Sequence, residues 1–168
     1  DMVPELRERI FAEPLIEREL IPEIPSLGVI TDITSIKVRK QYENNPYPRW
    51  VRAHVRAKPV SVDAIFNQSA LKFRSECSLN LANPEILIAG CGTGQHAIES
   101  AATWCGSKLL AVDISLASLS YAKRKTSELN IENIDFLHAD ILDLRSLKRD
   151  FDIVECVGVL HHMRDPHA

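Results

Sequence analysis

An apolar run followed by three glycines at alternate positions constrains the fold of this chain more than any other feature. The stretch Ile86–Gln95 reads I-L-I-A-G-C-G-T-G-Q. Gly90 permits a sharp turn, Gly92 lets a ligand approach the backbone without meeting a Cβ, and Gly94 allows the following helix to pack near the strand. The start of that helix offers unpaired amides to a carboxylate or phosphate. The stretch predicts a strand–loop–helix unit with a ligand site at the loop.

After Pro84 the chain alternates between apolar runs and amphipathic segments. Runs that are apolar on both faces and separated by helices indicate a parallel sheet covered on each side, so we expect an α/β, doubly wound, Rossmann-like fold. A further helix is predicted from Val159 onward. The predicted strands are Ile86–Ala89, Lys108–Val112, Ile134–His138 and Phe151–Val157, and the predicted helices are Gln95–Cys105 and one that Ser115 caps and Asn130 closes.

The first 60 residues differ from the remainder because prolines interrupt them repeatedly. We expect short helices there, forming an N-terminal helical cap or linker over residues 1–60. Residues 61–168 form the second predicted unit, which begins with an amphipathic helix that Ser61 caps and that ends before Asn83.

Charge is distributed in three zones behind a formal net charge of −3. Residues 1–35 hold three basic and eight acidic residues, residues 36–60 hold seven and one, and residues 61–168 hold ten and fourteen. The basic middle zone is interleaved with Tyr42, Tyr47 and Trp50. It suits either phosphate and base binding or a solvated helix face whose cations pair with acidic neighbours; we favour the latter. Tyr47 and Trp50 are expected either to cover the ligand site as a lid or to fasten the N-terminal cap to the core.

Several classes of protein are disfavoured by the sequence. No run approaches the roughly 18 apolar residues of a membrane helix, and the N-terminus lacks a secretory signal profile. The four cysteines form no CxxC pair, which predicts buried, reduced thiols and a cytoplasmic protein. His161, His162 and His167 lack a thiolate or carboxylate at a familiar ligand spacing, so no metal site is expected.

The spacing of the glycine loop separates two cofactor classes. A dinucleotide site expects GxGxxG, but Gln95 occupies the position of the third glycine. The observed GxGxG spacing resembles the first motif of class I S-adenosylmethionine-dependent methyltransferases. In that family, the acid at the position of Asp113 accepts both ribose hydroxyls and the acid at Asp140 receives the adenine amino group. The alternative, which we do not favour, is that Asp113 beside Ser115 and Asp140 are turn or helix caps.

The resemblance implies the cofactor S-adenosyl-L-methionine and a set of contacts around it. Phe151–His162 resembles the family's fourth strand and the segment after it, where the methionine part meets the acceptor. One departure is Ile88, which stands where the family usually has an acid that supports the methionine end. Cys91 is expected to be a small side chain and not a nucleophile. The implied cofactor-binding residues are Gly90, Cys91, Gly92, Gly94, Asp113, Ile114, Asp140, Ile141 and Val157.

The function implied by the resemblance is methyl transfer to an unidentified acceptor. His161 and His162 are candidate proton acceptors there, although ordinary histidines at a helix start fit the sequence as well. The fourth-strand region lacks the Asn/Asp-Pro-Pro-Tyr/Phe sequence of enzymes that methylate base amines, so nucleic acid is not the favoured acceptor. The alternatives are a non-catalytic S-adenosylmethionine-binding module that engages a partner and, third, a dinucleotide-binding oxidoreductase domain.

Two further expectations follow from the family. Gln41–Trp50 (QYENNPYPRW) and Val159–Pro166 (VLHHMRDP) look similar to bacterial methyltransferases that carry tetratricopeptide repeats upstream. The family's sheet typically has seven strands, and four are predicted here. The resemblance therefore implies the N-terminal part of such a domain, truncated after the fourth strand, with that strand as an exposed edge and with activity of this part alone in doubt.

Overall fold

Four parallel strands in the order β3-β2-β1-β4 form the centre of the fold. We describe residues 3–62, 64–65 and 82–166 in a computed structural model of the chain. The chain moves outward from β1 to β3 and then returns to the other side of β1, so the sheet is doubly wound as predicted, with its switch point between β1 and β4. The strands are β1 (Glu85–Ala89), β2 (Lys108–Asp113), β3 (Ile134–His138) and β4 (Ile153–Glu155).

Alternating side chains of the strands build a core on each face of the sheet. Ile86 and Ile88 of β1 join a cluster with the following helices, whereas Leu87 and Ala89 point to the opposite face and join a second cluster. Side chains in a strand alternate between its two faces, so a continuous apolar run is required when both faces are covered. This requirement explains why the strands could be recognised from the sequence.

The helices that cover the sheet have the predicted caps. The Ser115 side chain accepts the backbone N–H of Ser118 at 3.1 Å, and Asn130 adopts a left-handed φ of 52° after the helix. The helix predicted to end at Cys105 ends at Thr103, since Trp104 is already extended. The helices are α1 (Pro4–Arg7), a π-helical stretch (Glu8–Ala12), α2 (Glu13–Leu20), a 3-10 turn (Ile21–Glu23), α3 (Ile33–Asn44), α4 (Gln95–Thr103), α5 (Leu116–Glu128) and 3-10 segments at Ile141–Leu147 and Leu160–His162.

The segment around β4 differs from its prediction in two respects. The strand covers Ile153–Glu155 and is shorter than the predicted Phe151–Val157, because only three residues pair with β1 before the backbone turns at Gly158 with φ 71°. The helix predicted from Val159 is a single 3-10 turn that stops when Met163 becomes extended. Among the described residues, no strand pairs with the free edge of β4.

The N-terminal residues consist of short helices, as predicted, and they pack directly on the α/β core. Ile24 and Trp50 lie in the same buried cluster as Ile86. The segment at Ser26 runs along the outer edge of β3 and bridges to His138. The division of the chain at residue 60 therefore stays a prediction, although the two parts share one core.

A buried arginine joins α2 to α5. Arg124, only 3% exposed, contacts Glu13, Glu17 and Glu128, and its guanidinium lies 5.0 Å from the centre of the Tyr121 ring. Arg49 of the basic zone also pairs with Glu17, at 2.8 Å. For this cation, pairing with the acidic N-terminal zone is confirmed.

Some predictions are corrected or fall outside the described residues. Cys91 is buried, but Cys105 is exposed and Cys156 is half-buried because both follow the end of an element; Cys77 lies outside the described residues. Ser61 caps the backbone N–H of Ala64 as predicted, and the remainder of that predicted helix also lies outside them. Within the described part of the chain, no helix is both long and apolar enough to cross a membrane.

Candidate functional site

A cavity of about 780 Å³ lies at the carboxyl ends of the strands, at the switch point of the sheet. Its volume is within the range of roughly 300–1,000 Å³ that is typical of small-molecule sites. The glycine loop forms its floor, and the ends of β2 and β3, the segment after β4, and α3 form its walls. Open α/β sheets bind ligands at this position.

The three glycines of the loop have different surroundings. All have positive φ, between 54° and 80°. A Cβ on Gly90 would lie 2.3 Å from a methyl group of Val159, and one on Gly94 would lie 2.5 Å from Cβ of Ala122. At Gly92, the nearest described atom is a backbone oxygen at 3.9 Å, so the backbone faces open space in the cavity. Gly90 and Gly92 line the cavity, whereas Gly94 provides the close packing of the loop against α5.

Asp113 lines the cavity at the end of β2 and is held by the loop itself. Its Oδ2 accepts the Gly92 N–H at 2.8 Å, and its Oδ1 accepts the Ser115 N–H at 2.9 Å. Burial raises the pKa of the Asp113 carboxyl above its usual value, and these two N–H groups act against that rise. Each oxygen keeps lone-pair capacity for another donor. The cap role and a ligand-facing role thus coexist in this side chain.

Asp140 occupies the equivalent position at the end of β3. It is 3% exposed, and its Oδ1 accepts the Leu142 N–H at 3.1 Å, so it caps the following 3-10 segment. Ile114 and Ile141, which follow the two aspartates, also line the cavity. The geometry brings an acid and an apolar side chain together at each of these strand ends.

Cys91 and Val157 complete the predicted set along the loop and the segment after β4, and both line the cavity. Burial raises the pKa of the Cys91 thiol well above its usual value, so the thiol is protonated near neutral pH. A protonated thiol is a poor nucleophile, which supports the interpretation of Cys91 as a small packing side chain. Of the nine predicted cofactor-binding residues, Gly94 alone is not in the lining.

His161 and His162 lie on the 3-10 turn after β4, and both line the cavity. Their rings are 4.0 Å apart, and His162 Nε2 is 3.2 Å from the Tyr42 hydroxyl of α3. His162 therefore contacts α3 directly, and the His161 ring lies beside it. The contact between Tyr42 and His162 was not predicted from the sequence.

Tyr47 and Trp50, the aromatic residues of the proline-containing part of the basic zone, have different roles. Trp50 is 8% exposed, its Nε1–H donates to the Thr93 carbonyl at 3.0 Å, and it meets Tyr121 edge to face. Trp50 therefore fastens the N-terminal segment to the loop. Tyr47 is 73% exposed and lines the cavity, where the lid interpretation stays a prediction.

Other wall residues were not identified from the sequence. His96 and Glu99 of α4 line the cavity, and Glu155 of β4 contacts His96 from behind. Ser35 and Val38 share the face of α3 that includes Tyr42, and Asp32, the N-cap of this helix, lies on the same side. A spacing of three and four residues was the available signal for this face. No local sequence pattern indicated that β4 would lie next to α4.

Comparison with known proteins identifies this part of the chain. A family model described as a methyltransferase domain matches residues 86–168, about half of the chain. Residues 86–168 belong to the class I methyltransferase family. Gly92 of the glycine loop, Asp113 and Asp140 lie within this matched segment, and all three line the cavity.

Two curated relatives match part of this chain at moderate identity. An uncharacterized protein of Synechococcus is 35% identical over 99 residues, which are 58% of this chain and 24% of the relative. A tRNA (guanine-N(7)-)-methyltransferase of Rubrobacter xylanophilus is 32% identical over 50% of this chain and 41% of its own length. The chain thus spans less than half the length of these two curated relatives.

A solved structure supports the fold of the methyltransferase segment and its N-terminal helices. The magnesium protoporphyrin IX methyltransferase of Synechocystis, crystallised with bound SAM, superposes with a TM-score of 0.53 and 22% identity. The match covers 82% of this chain and 67% of that one. At this identity the similarity shows a shared fold.

Proposed function

We propose that the chain binds S-adenosylmethionine across its glycine loop and takes part in methyl transfer from it to an acceptor. One observation carries the proposal: Gly92, Asp113 and Asp140 line a single cavity at the ends of β1, β2 and β3. A ligand lying along these strand ends meets the glycine backbone first, then the first acid, then the second. This order suits a sulfonium–ribose–adenine molecule, and the family match covers the same residues.

The residues present fit this cofactor. The open space beside Gly92 accommodates a ligand atom that a Cβ would displace. The Asp113 carboxylate is fixed by two backbone N–H groups and can accept ribose hydroxyls in addition. Ile114 and Ile141 provide apolar surface on which an adenine ring can pack. The site therefore has a polar group for each polar part of the nucleoside and apolar surface between them.

The chemistry requires alignment more than covalent catalysis. When bound, S-adenosylmethionine supplies a methyl group on a cationic sulfonium, and the rest of the molecule is a good leaving group because it departs as a neutral thioether. The wall formed by Tyr42 and Tyr47 would exclude water and orient an acceptor, and such effects contribute many orders of magnitude to rate. His161 and His162 face the same space and would take a proton from an acceptor that must lose one.

The acceptor stays unidentified. One relative is named for methylating tRNA, but the sequence of this chain after β4 does not favour nucleic acid, and that prediction is unchanged. A cytoplasmic location, tetratricopeptide repeats upstream in the full-length protein, and the boundary near residue 60 also stay predictions. A binding module without transfer activity is the second candidate, favoured by the cations of the basic zone.

Ligand-induced thermal stabilisation tests cofactor choice. S-adenosylmethionine and S-adenosylhomocysteine should each raise the melting temperature, and NAD should not, because Gln95 replaces the glycine that a dinucleotide loop requires. Stronger stabilisation by NAD would refute the proposal. Incubation with methyl-labelled cofactor and cell extract then separates an enzyme from a binding module, since only an enzyme transfers label to an extract component.

A further inference from the structure

The side of the cavity near β4 carries charged groups that the adenosine part does not need. His96 and Glu99 lie on the first turns of α4 and line the cavity. The sheet order puts Asp113 and Asp140 on one side of β1 and β4 on the other. A cofactor whose ribose and adenine lie over β2 and β3 therefore extends its remaining part, an α-amino acid, toward His96 and Glu99.

A buried contact from β4 positions His96. Its Nε2 lies 2.6 Å from Glu155 Oε2, and the other carboxylate oxygen accepts the Ser100 hydroxyl at 3.1 Å. Glu155 is paired in register with Ile88 of β1, so the two side chains project from the same face of the sheet. Ile88 is the position at which the family usually has an acid. Glu155 thus supplies a carboxylate on the adjacent strand, at the level where β1 lacks one.

The charge of His96 depends on this carboxylate. The close contact with Glu155 raises the pKa of His96, burial acts against the rise, and the charges of Glu155 and Glu99 add to it. These two acids, one from β4 and one from α4, are the charged groups facing the ring. Burial acts to raise the pKa of Glu155, but His96 lowers it overall. The contact therefore favours the imidazolium form of His96 and the carboxylate form of Glu155.

The Glu99 carboxylate is the complementary charge on the same wall. It lies three residues after His96, a spacing at which side chains on a helix are neighbours. Its Oε1 accepts the backbone N–H of His54 at 3.0 Å and the Gln95 side-chain amide at 3.4 Å. A cation and an anion side by side match a zwitterion, which carries one carboxylate and one ammonium group.

We infer that His96 and Glu99 bind the amino-acid end of the cofactor, His96 through its carboxylate and Glu99 through its ammonium group, with Glu155 as the residue that positions His96. This assignment rests on the proposed function.

Three adenosine compounds test the inference by calorimetric titration: S-adenosylhomocysteine, its decarboxylated form, and methylthioadenosine, which lacks the amino-acid end. His96→Gln should weaken S-adenosylhomocysteine binding about tenfold or more, which is the contribution of a hydrogen bond to a charged group. Binding of the other two compounds should stay within about twofold, because neither carries the carboxylate. Glu99→Gln should weaken the first two compounds and not methylthioadenosine. The exposed His54 side chain provides a matched control: His54→Gln keeps the backbone N–H that bonds Glu99 and should change none of the three.

The pH dependence separates binding from a structural role. In the wild-type chain, affinity for S-adenosylhomocysteine should fall as pH rises through the pKa of His96, because the imidazolium is lost. His96→Gln should remove this fall, and Glu155→Gln should move it to lower pH, because the carboxylate that favours the charged ring is gone.

The outcomes distinguish this inference from the proposal beneath it. If the wild-type chain binds neither S-adenosylhomocysteine nor methylthioadenosine, the proposed function is overturned, and the inference with it. Two results would overturn the inference alone, provided that the wild-type chain binds normally. In one, the affinity of His96→Gln for S-adenosylhomocysteine is unchanged; in the other, its affinity is lowered equally for all three compounds. Retained methylthioadenosine binding also shows that each variant is folded.

Discussion

Replacing Gly92 by Ala should weaken ligand binding by about tenfold or more, at small cost to folding. Gly92 has a φ of 54°, and a Cβ there would meet no described atom closer than 3.9 Å, so the cost is the left-handed backbone alone. That cost is about 1–2 kcal/mol for a residue with a Cβ. For a chain of 168 residues, each kcal/mol lowers the melting temperature by about 2–4 °C, which gives a decrease of about 2–8 °C.

Gly94→Ala is the matched comparison because it combines the same backbone strain with a steric clash. Gly94 has a φ of 80°, and its Cβ would lie 2.5 Å from Cβ of Ala122 and 3.2 Å from the Ala122 Cα. Backbone cannot move as a side-chain tip can, so overpacking adds about 1–3 kcal/mol to the strain. The expected total is about 2–5 kcal/mol, or a decrease of about 4–20 °C.

Scanning fluorimetry and titration with S-adenosylhomocysteine measure the two effects separately. We expect Gly92→Ala to lose affinity by about tenfold or more while remaining folded at 20–25 °C, because the added methyl group occupies space that the ligand needs. Gly94→Ala should be the less stable variant and should bind within about threefold of wild type when folded. Unchanged affinity in Gly92→Ala would refute the interpretation of this loop as the cofactor cradle, and equal stability of the two variants would refute the packing argument.

Three other substitutions have effects that can be calculated from contacts. Asp113→Ala should weaken S-adenosylhomocysteine binding about tenfold and also lower the free energy of unfolding by about 1–3 kcal/mol, because two backbone N–H groups lose their acceptor; calorimetry and urea denaturation measure these changes. Arg124→Met should cost about 3–5 kcal/mol in urea denaturation, since the buried Glu17 carboxylate keeps, among the described residues, only Arg49 as a cationic partner, and a loss under 1 kcal/mol would contradict this. Trp50→Phe should cost about 1–3 kcal/mol by the same assay, because the Thr93 carbonyl loses its indole donor, whereas an unchanged free energy would show that this bond is dispensable.

The parts of the fold that the sequence predicted are those with local signals. The glycines of the loop, the apolar run of Ile86–Ala89 and the cap at Ser115 each depend on neighbours within a few residues. Asn130 likewise takes the left-handed conformation after α5, as its residue type suggested. These features were enough to place the cavity, because the carboxyl ends of parallel strands meet at one edge of the sheet.

The parts that the sequence could not predict depend on contacts between distant segments. Glu155 faces His96 only because β4 lies next to β1, and a crossover past two strands sets this neighbour. The contact of Tyr42 with His162 joins residues 120 positions apart. The shortening of β4 has the same origin, since the number of its ladder pairs depends on how far β1 remains beside it.

The N-terminal segment is part of the site even though the family match begins at residue 86. Thr93, between the second and third glycines, donates its hydroxyl to the Pro48 carbonyl at 2.6 Å, and its own carbonyl accepts the Trp50 indole N–H at 3.0 Å. Residue Tyr121 of α5 then donates its hydroxyl to the Trp50 carbonyl. The hydroxyl and the carbonyl of the loop threonine are therefore both satisfied by residues 48–50, and the loop conformation depends on a segment outside the matched domain. Because a ligand cradle acts through the placement of its backbone, changes in residues 48–50 should alter cofactor affinity as directly as changes in the loop.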